Sequence, residues 1–172
     1  MVFNRRSALL LLAGLTAACA APPAPDGARV IGAFETDAVR VAHVDALNAF
    51  RSEQGLQPVQ LSARLTAAAA TQARDMSVQK RAWHFGSDGT SPADRVERAG
   101  FAGEFLGENI SESFDDEIEV LQSWINAPSS RAVLSAPEAD SVGFAWYQEA
   151  GGKLWWVQVL GDSQLQQLAQ SQ

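Results

Sequence analysis

Two apolar runs close this chain, and they do most to limit its fold. Val142-Gly143-Phe144-Ala145-Trp146-Tyr147 and Leu154-Trp155-Trp156-Val157-Gln158-Val159-Leu160 are short and rich in aromatic and branched residues. Segments of this length and make-up read as strands, and the Gly151-Gly152 pair between them reads as a hairpin loop. Ahead of them the apolar spacing is mostly helical. Helices first and a strand pair last imply an α+β layered fold.

The helical signals come in order. Thr36-Asp37 can cap a first helix, with Val39, Ala42 or His43, Ala46, Leu47 and Phe50 at helical spacing and Gly55 as its stop. Val59 to Leu61 reads as a brief extended link. Ser62 caps a second helix, whose inner face is Leu65, Ala68, Ala69, Ala73 and Met76; so many alanines imply close backbone packing. A loop with Trp83, His84 and Phe85 follows. Ser91-Pro92-Ala93-Asp94 then opens a third helix with a serine cap, proline at the first helical position and an acid at the third. Gly100 ends it. Asp115-Asp116-Glu117 puts negative charge at the positive end of a fourth helix, which runs to near Pro128. Ser129 or Ser130 can cap a last short turn.

The two ends read differently from the middle. Arg5-Arg6, the apolar run Ala8 to Leu15 and the small residues Thr16-Ala17-Ala18 are the parts of a secretory signal peptide. The run is shorter than the roughly 20 apolar residues that a membrane-spanning helix needs. Cys19, the only cysteine, follows directly, so no disulfide can form within the chain. Leu15-Thr16-Ala17-Ala18-Cys19 resembles a bacterial lipobox, with the leucine one position further from the cysteine than usual; lipidation of Cys19 is the expectation, with plain secretion as the alternative. The arginine pair leaves both general and twin-arginine export open. Residues 1–18 are thus read as a signal peptide, 19–34 as a Pro/Ala-rich linker, 35–162 as one domain and 163–172 as a polar tail. The implied location is the periplasm or the outer membrane, as an anchored lipoprotein, or else the medium.

Charge narrows the partners. The whole chain carries a formal charge of -7, and residues 1–18 contain two arginines and no acid, so the part beyond them stands near -9. That argues against nucleic acid as a partner. The membrane is expected as a partner through the lipid anchor alone.

Four stretches, taken together and in order, resemble the bacterial branch of the CAP family (cysteine-rich secretory, antigen 5 and pathogenesis-related 1, or SCP-like, proteins). They are Leu47-Asn48-Ala49-Phe50-Arg51 with Gly55-Leu56; His84 with Asp88-Gly89-Thr90-Ser91-Pro92-Ala93-Asp94-Arg95 and Ala99-Gly100-Phe101; Gly107-Glu108-Asn109-Ile110; and Trp124 to Leu134 with the closing strands. The resemblance covers essentially the whole domain. It implies an α-β-α sandwich with a small antiparallel sheet as its middle layer. It also implies a central cleft, which in relatives holds two histidines and one or two acids and is often a metal site.

Carried over by position, the first histidine is His84 and the first acid Glu108. Ser130 stands where the second histidine belongs, and Ala127 where eukaryotic relatives have a second acid. One imidazole and one carboxylate fall short of the three or four ligands of a stable zinc site, so any divalent metal at His84 and Glu108 is expected to be weak or absent, and no cofactor is assigned. Asp88, Glu104 and Glu112 are the nearby acids that could add a ligand. His43 reads as a half-buried helix residue packing near Leu47. His84 and Glu108 are expected to meet as a hydrogen-bonded pair, with Glu108 capping a loop at Gly107. Trp83, Asn126 and Ser130 complete the expected cleft, and no residue is assigned as catalytic. The implied function is an exported, non-catalytic binding or structural module for a small apolar ligand, a glycan or an envelope protein. A hydrolase is the alternative, either metal-assisted or built on Ser130-His84-Glu108.

Overall fold

The computed structural model describes residues 29–164. The expected signal peptide, Cys19, most of the linker and the last eight residues of the tail lie outside the described residues. Among the described residues no helix is long and apolar enough to cross a membrane.

A 3-10 turn, Ala33–Glu35, runs directly into α1, Thr36–Glu53. Thr36 is therefore the first residue of the helix and not its cap. Next come β1 (Gln60–Leu61), α2 (Ala63–Gln79), α3 (Pro92–Arg98), β2 (Glu104–Glu112), α4 (Glu117–Asn126), α5 (Pro128–Leu134), β3 (Ser141–Gln148) and β4 (Leu154–Asp162). The expected caps at Ser62 and Ser91 are made through their side chains, and Asp116, expected only as negative charge at the start of α4, caps that helix in the same way. Neither Ser129 nor Ser130 caps α5: Ala127 is its N-cap, Pro128 its first residue, and both serines lie inside its first turn.

The sheet has four strands in the order β1-β3-β4-β2. Its two long pairings are antiparallel, as expected, but β1 joins β3 in parallel through Gln60 and Leu61. Gly107 to Ile110 is not a loop; it is the middle of β2, paired along β4 from Glu104 to Glu112 with an irregularity between Phe105 and Gly107. Three glutamates interrupt the apolar alternation there, which hides the strand in the sequence.

β4 lies between β3 and β2 and is buried from Leu154 to Gly161. One of its faces, with Leu154, Trp156 and Leu160, joins Val142 and Phe144 in a core shared with α1, α4 and α5. The other, with Trp155, Val157 and Val159, joins Ala145 in a core shared with α2 and α3. This is the α-β-α sandwich. The alanines of α2 permit a very close approach to the sheet: a Cβ on Gly143 would lie 2.1 Å from the carbonyl carbon of Leu65. The first described residues are also tied down. Arg29 pairs with Glu117 at 2.8 Å, and the Ile31 amide donates to Gln148 at 3.0 Å.

His43 is fully buried rather than half-buried. Its Nδ1 lies 3.1 Å from the carbonyl oxygen of Glu117 and its Nε2 2.6 Å from Oε1 of Gln158, while its ring stacks on Phe144 at 3.5 Å. Burial outweighs these hydrogen bonds and lowers the imidazole pKa to about 4. Histidine in the unfolded chain titrates near 6.5, so between these values the unfolded state holds more protons and stability rises with pH. His43 should therefore contribute fully above about pH 6.5 and lose on the order of 3 kcal/mol by about pH 4. Urea unfolding at pH 7 and pH 4.5 should show this loss, reduced in His43→Gln. Equal pH slopes for the two proteins would refute it.

Candidate functional site

The loop between α2 and α3 carries His84, and β2 carries Glu108. The structure brings them together, with His84 Nδ1 2.9 Å from Glu108 Oε1. Since the carboxylate is an acceptor, Nδ1–H donates, and among the described residues nothing bonds Nε2. The histidine side chain is 48% exposed and that of Glu108 only 2%, so His84 is the accessible half of the pair.

The sequence reading overlooked a third member. Arg95 of α3 places Nη2 3.1 Å from Oε1 and 2.8 Å from Oε2 of Glu108, and its Nη1 donates to the Thr90 carbonyl at 3.2 Å. Its side chain is 4% exposed. The signal was present in the pattern: Pro92, Arg95, Val96 and Ala99 share one helical face, and a charge on a buried face requires a buried partner.

The remaining expected residues divide. Ser130 lies on the far side of the same groove, and its carbonyl accepts from Asn109 Nδ2 at 3.2 Å. The groove has a volume of about 250 Å³, lined by His84, Glu108, Asn109, Ile110, Ser129 and Ser130 with Val133. Asn126 is not in it; the residue is exposed at the end of α4, next to Gln122. Trp83 is not in it either. Its indole donates to Gln79 at 3.0 Å and its ring carries the Arg81 guanidinium at 4.2 Å, so it braces the loop that presents His84. Among the described residues no hydrogen bond joins Ser130 to His84, so the serine-based alternative lacks its nucleophile–base contact.

The same atoms bear on metal. Glu108 is buried with both oxygens on a guanidinium, and His84 has turned Nδ1 toward that carboxylate. Asp88 is engaged by Thr90 and Arg98, Glu112 by Lys153, and Glu104 sits opposite Asp162 at the start of β2. Among the described residues no three His, Cys, Asp or Glu side chains gather as a ligand set. The residues present do not fit the metal centre that the resemblance implies: Arg95 supplies the positive charge on Glu108.

Residues 44–160 match the model of the family described as CAP, the cysteine-rich secretory protein family. The chain belongs to the CAP family. A Bacillus subtilis (strain 168) relative, described as the uncharacterized protein YkwD, is 28% identical over 118 residues, or 69% of this chain and 45% of that protein. The chain thus spans under half the length of that relative. Among solved structures, an extracellular protein containing an SCP domain from Bacillus anthracis str. Ames has a TM-score of 0.69 at 21% identity, covering 83% of this chain and 45% of that one. An outer surface protein of Borrelia burgdorferi has a TM-score of 0.63 at 16% identity, covering 74% and 94%. The CAP domain of Enterococcal PrgA has a TM-score of 0.60 at 12% identity, covering 80% and 65%. At these identities the structural likeness establishes the CAP fold.

Proposed function

We propose that this chain is an exported envelope protein whose CAP domain is a non-catalytic binding module, with the His84 groove as its binding face. The observation that carries this reading is the clamp on Glu108. A carboxylate buried between a guanidinium and an imidazole has both oxygens taken up by fixed donors and is closed to solvent. Acid–base or metal-assisted hydrolysis needs the opposite: a carboxylate free to exchange a proton or a ligand. What stays accessible is the outer nitrogen of His84 and the Ser129-Ser130 turn, which can bind a ligand but form no nucleophile–base pair.

Zinc titration by calorimetry tests the reading. No site tighter than about micromolar, roughly -8 kcal/mol, is expected. A nanomolar site lost in His84→Ala would overturn it, as would ester or peptide hydrolysis that His84→Ala abolishes.

Export rests on the N-terminal pattern, and the descriptions of the Bacillus anthracis and Borrelia relatives as extracellular and outer surface proteins support it. Lipidation of Cys19 would hold the domain on a membrane by a Pro-rich tether that reaches its first anchored residues, Arg29 and Ile31. Cys19→Ser should move the protein from the membrane fraction to the soluble fraction and lower its intact mass by the lipid. Unchanged fractionation and mass would remove the anchor.

A further inference from the structure

We infer that the outer edge of β2 is a peptide-binding site, where an extended segment of another polypeptide adds to the sheet as a fifth strand between His84 and α5. The inference rests on the reading of this groove as a binding face and names the class of ligand it takes.

Register carries the argument. The amide of Ser113 donates to the Leu154 carbonyl at 2.9 Å, and β2 pairs with β4 from Glu112 opposite Trp155 back to Glu108 opposite Val159. Hydrogen-bonded and open pairs alternate in an antiparallel ladder. Ser111 and Asn109 therefore bond β4, while Glu108, Ile110 and Glu112 turn their N–H and C=O groups outward. The Trp124 indole confirms the parity by reaching the outward carbonyl of Ile110 at 3.3 Å. Among the described residues no side chain or loop takes the N–H or C=O of Glu108, or the N–H of Ile110. Glu108 is 7% exposed as a residue, but its side chain only 2%, so the part of it that solvent reaches is mainly main chain.

An unpaired edge is usually covered or blunted. The sheet's other long edge is taken up at one end: β1 pairs its first two residues, and Arg40 Nε donates to the outward carbonyl of Phe144 at 3.3 Å. At β2 the outward groups instead line a recess. Glu108 and Ile110 are two residues apart, about 7 Å along a strand, which is the repeat at which an added strand presents its own N–H and C=O groups. The recess between His84 and the Ser129-Ser130 turn has a volume of about 250 Å³, room for a short stretch of one extended chain. A peptide residue beside His84 with a hydrogen-bond donor in its side chain would meet Nε2.

The test uses the full chain carrying Cys19→Ser, labelled with nitrogen-15. The probes are the capped peptide acetyl-Thr-Val-Thr-Val-Thr-amide and the same peptide methylated on every backbone nitrogen. The unmethylated peptide should shift the Glu108 and Ile110 amides and slow their hydrogen exchange, with Asn109 and Ser111 protected from the outset. Methylation should weaken binding at least about tenfold. Ile110→Pro removes one outward N–H without touching the ladder to β4 and should abolish the shift of the Glu108 amide. Equal shifts from the methylated peptide would overturn strand addition while leaving the groove a binding face. Shifts at Glu108 and Ile110 that grow with protein concentration alone would assign the edge to a second copy and overturn the proposal. So would the absence of any shift there at millimolar peptide; whether fatty acids or glycans then shift His84, Ser129 and Ser130 decides separately whether the groove binds anything.

Discussion

Arg51→Met should destabilise the protein by about 2–4 kcal/mol, the cost of stranding buried carbonyls that its guanidinium satisfies. Arg51 is fully buried at the end of α1. Its Nε donates to the Gln57 carbonyl at 2.8 Å, Nη1 to those of Leu134 and Ala136 at 2.8 and 3.0 Å, and Nη2 to that of Ala139 at 3.0 Å. One guanidinium thus fastens the turn after α1 and the segment between α5 and β3 to the same helix. Methionine fills similar space but takes a donor from all four carbonyls; those of Ala136 and Ala139 keep the Ala139 amide and the Gln57 side chain, while those of Gln57 and Leu134 are left with none, the latter in a buried position, and an unsatisfied buried group costs about 1–3 kcal/mol. Lysine keeps the charge, yet its three donors share one atom and cannot span four carbonyls, so Arg51→Lys should still lose about 2 kcal/mol or more. At the size of this domain a loss of 3 kcal/mol corresponds to a fall in Tm of roughly 10 °C. Urea unfolding of the three proteins checks the order. An Arg51→Met loss under about 1 kcal/mol would mean that water replaces the guanidinium and that the two segments hold without it.

The helices and the hairpin were legible because their signals are local: a capping serine, a proline at the first helical position, a run of alanines at helical spacing. His84 meeting Glu108 was legible only through the family resemblance, since the two residues lie on different elements and no local rule links them. What escaped was of two kinds. β2 hid because an edge strand that meets a buried arginine on one face and a helix on the other carries glutamates and glycine in place of alternating apolar residues. At Gly107 a Cβ would lie 2.7 Å from Val133 of α5, so even the glycine that suggests a loop is there for helix–sheet contact. The buried polar residues escaped for a different reason. His43 and Arg51 continue the stripe Val39, Leu47 of α1 at intervals of four, but a polar residue on an apolar stripe specifies only that it has a partner. The partners are Gln158, Glu117 and four carbonyls, three of them far along the chain, and the tertiary fold supplies the distant ones. The missing role of Arg95 is the same case, and it changed the reading of the site from a half-complete metal cleft to a closed ion pair.

That closed pair gives the second large expected effect, and its sign separates structure from catalysis. Arg95→Met should cost about 3–5 kcal/mol, because it leaves Glu108 buried with only a half-exposed histidine to face it; Glu108→Gln should cost a similar amount by stranding the guanidinium. His84→Ala should cost about 1 kcal/mol or less, since its ring is 48% exposed and water can take its place. Removing both charges together, as Arg95→Met with Glu108→Leu, should recover much of the loss, because apolar residues of similar volume often match a buried pair in stability. A double-mutant cycle in urea, built on Arg95→Met and Glu108→Leu, should therefore show a coupling of several kcal/mol. A carboxylate kept for catalysis behaves in the opposite way: its neighbours hold it in an unfavourable environment, and neutralising it commonly raises stability. If Glu108→Gln proves more stable than the native chain, the carboxylate is poised rather than clamped, and the non-catalytic reading of this CAP domain fails with it.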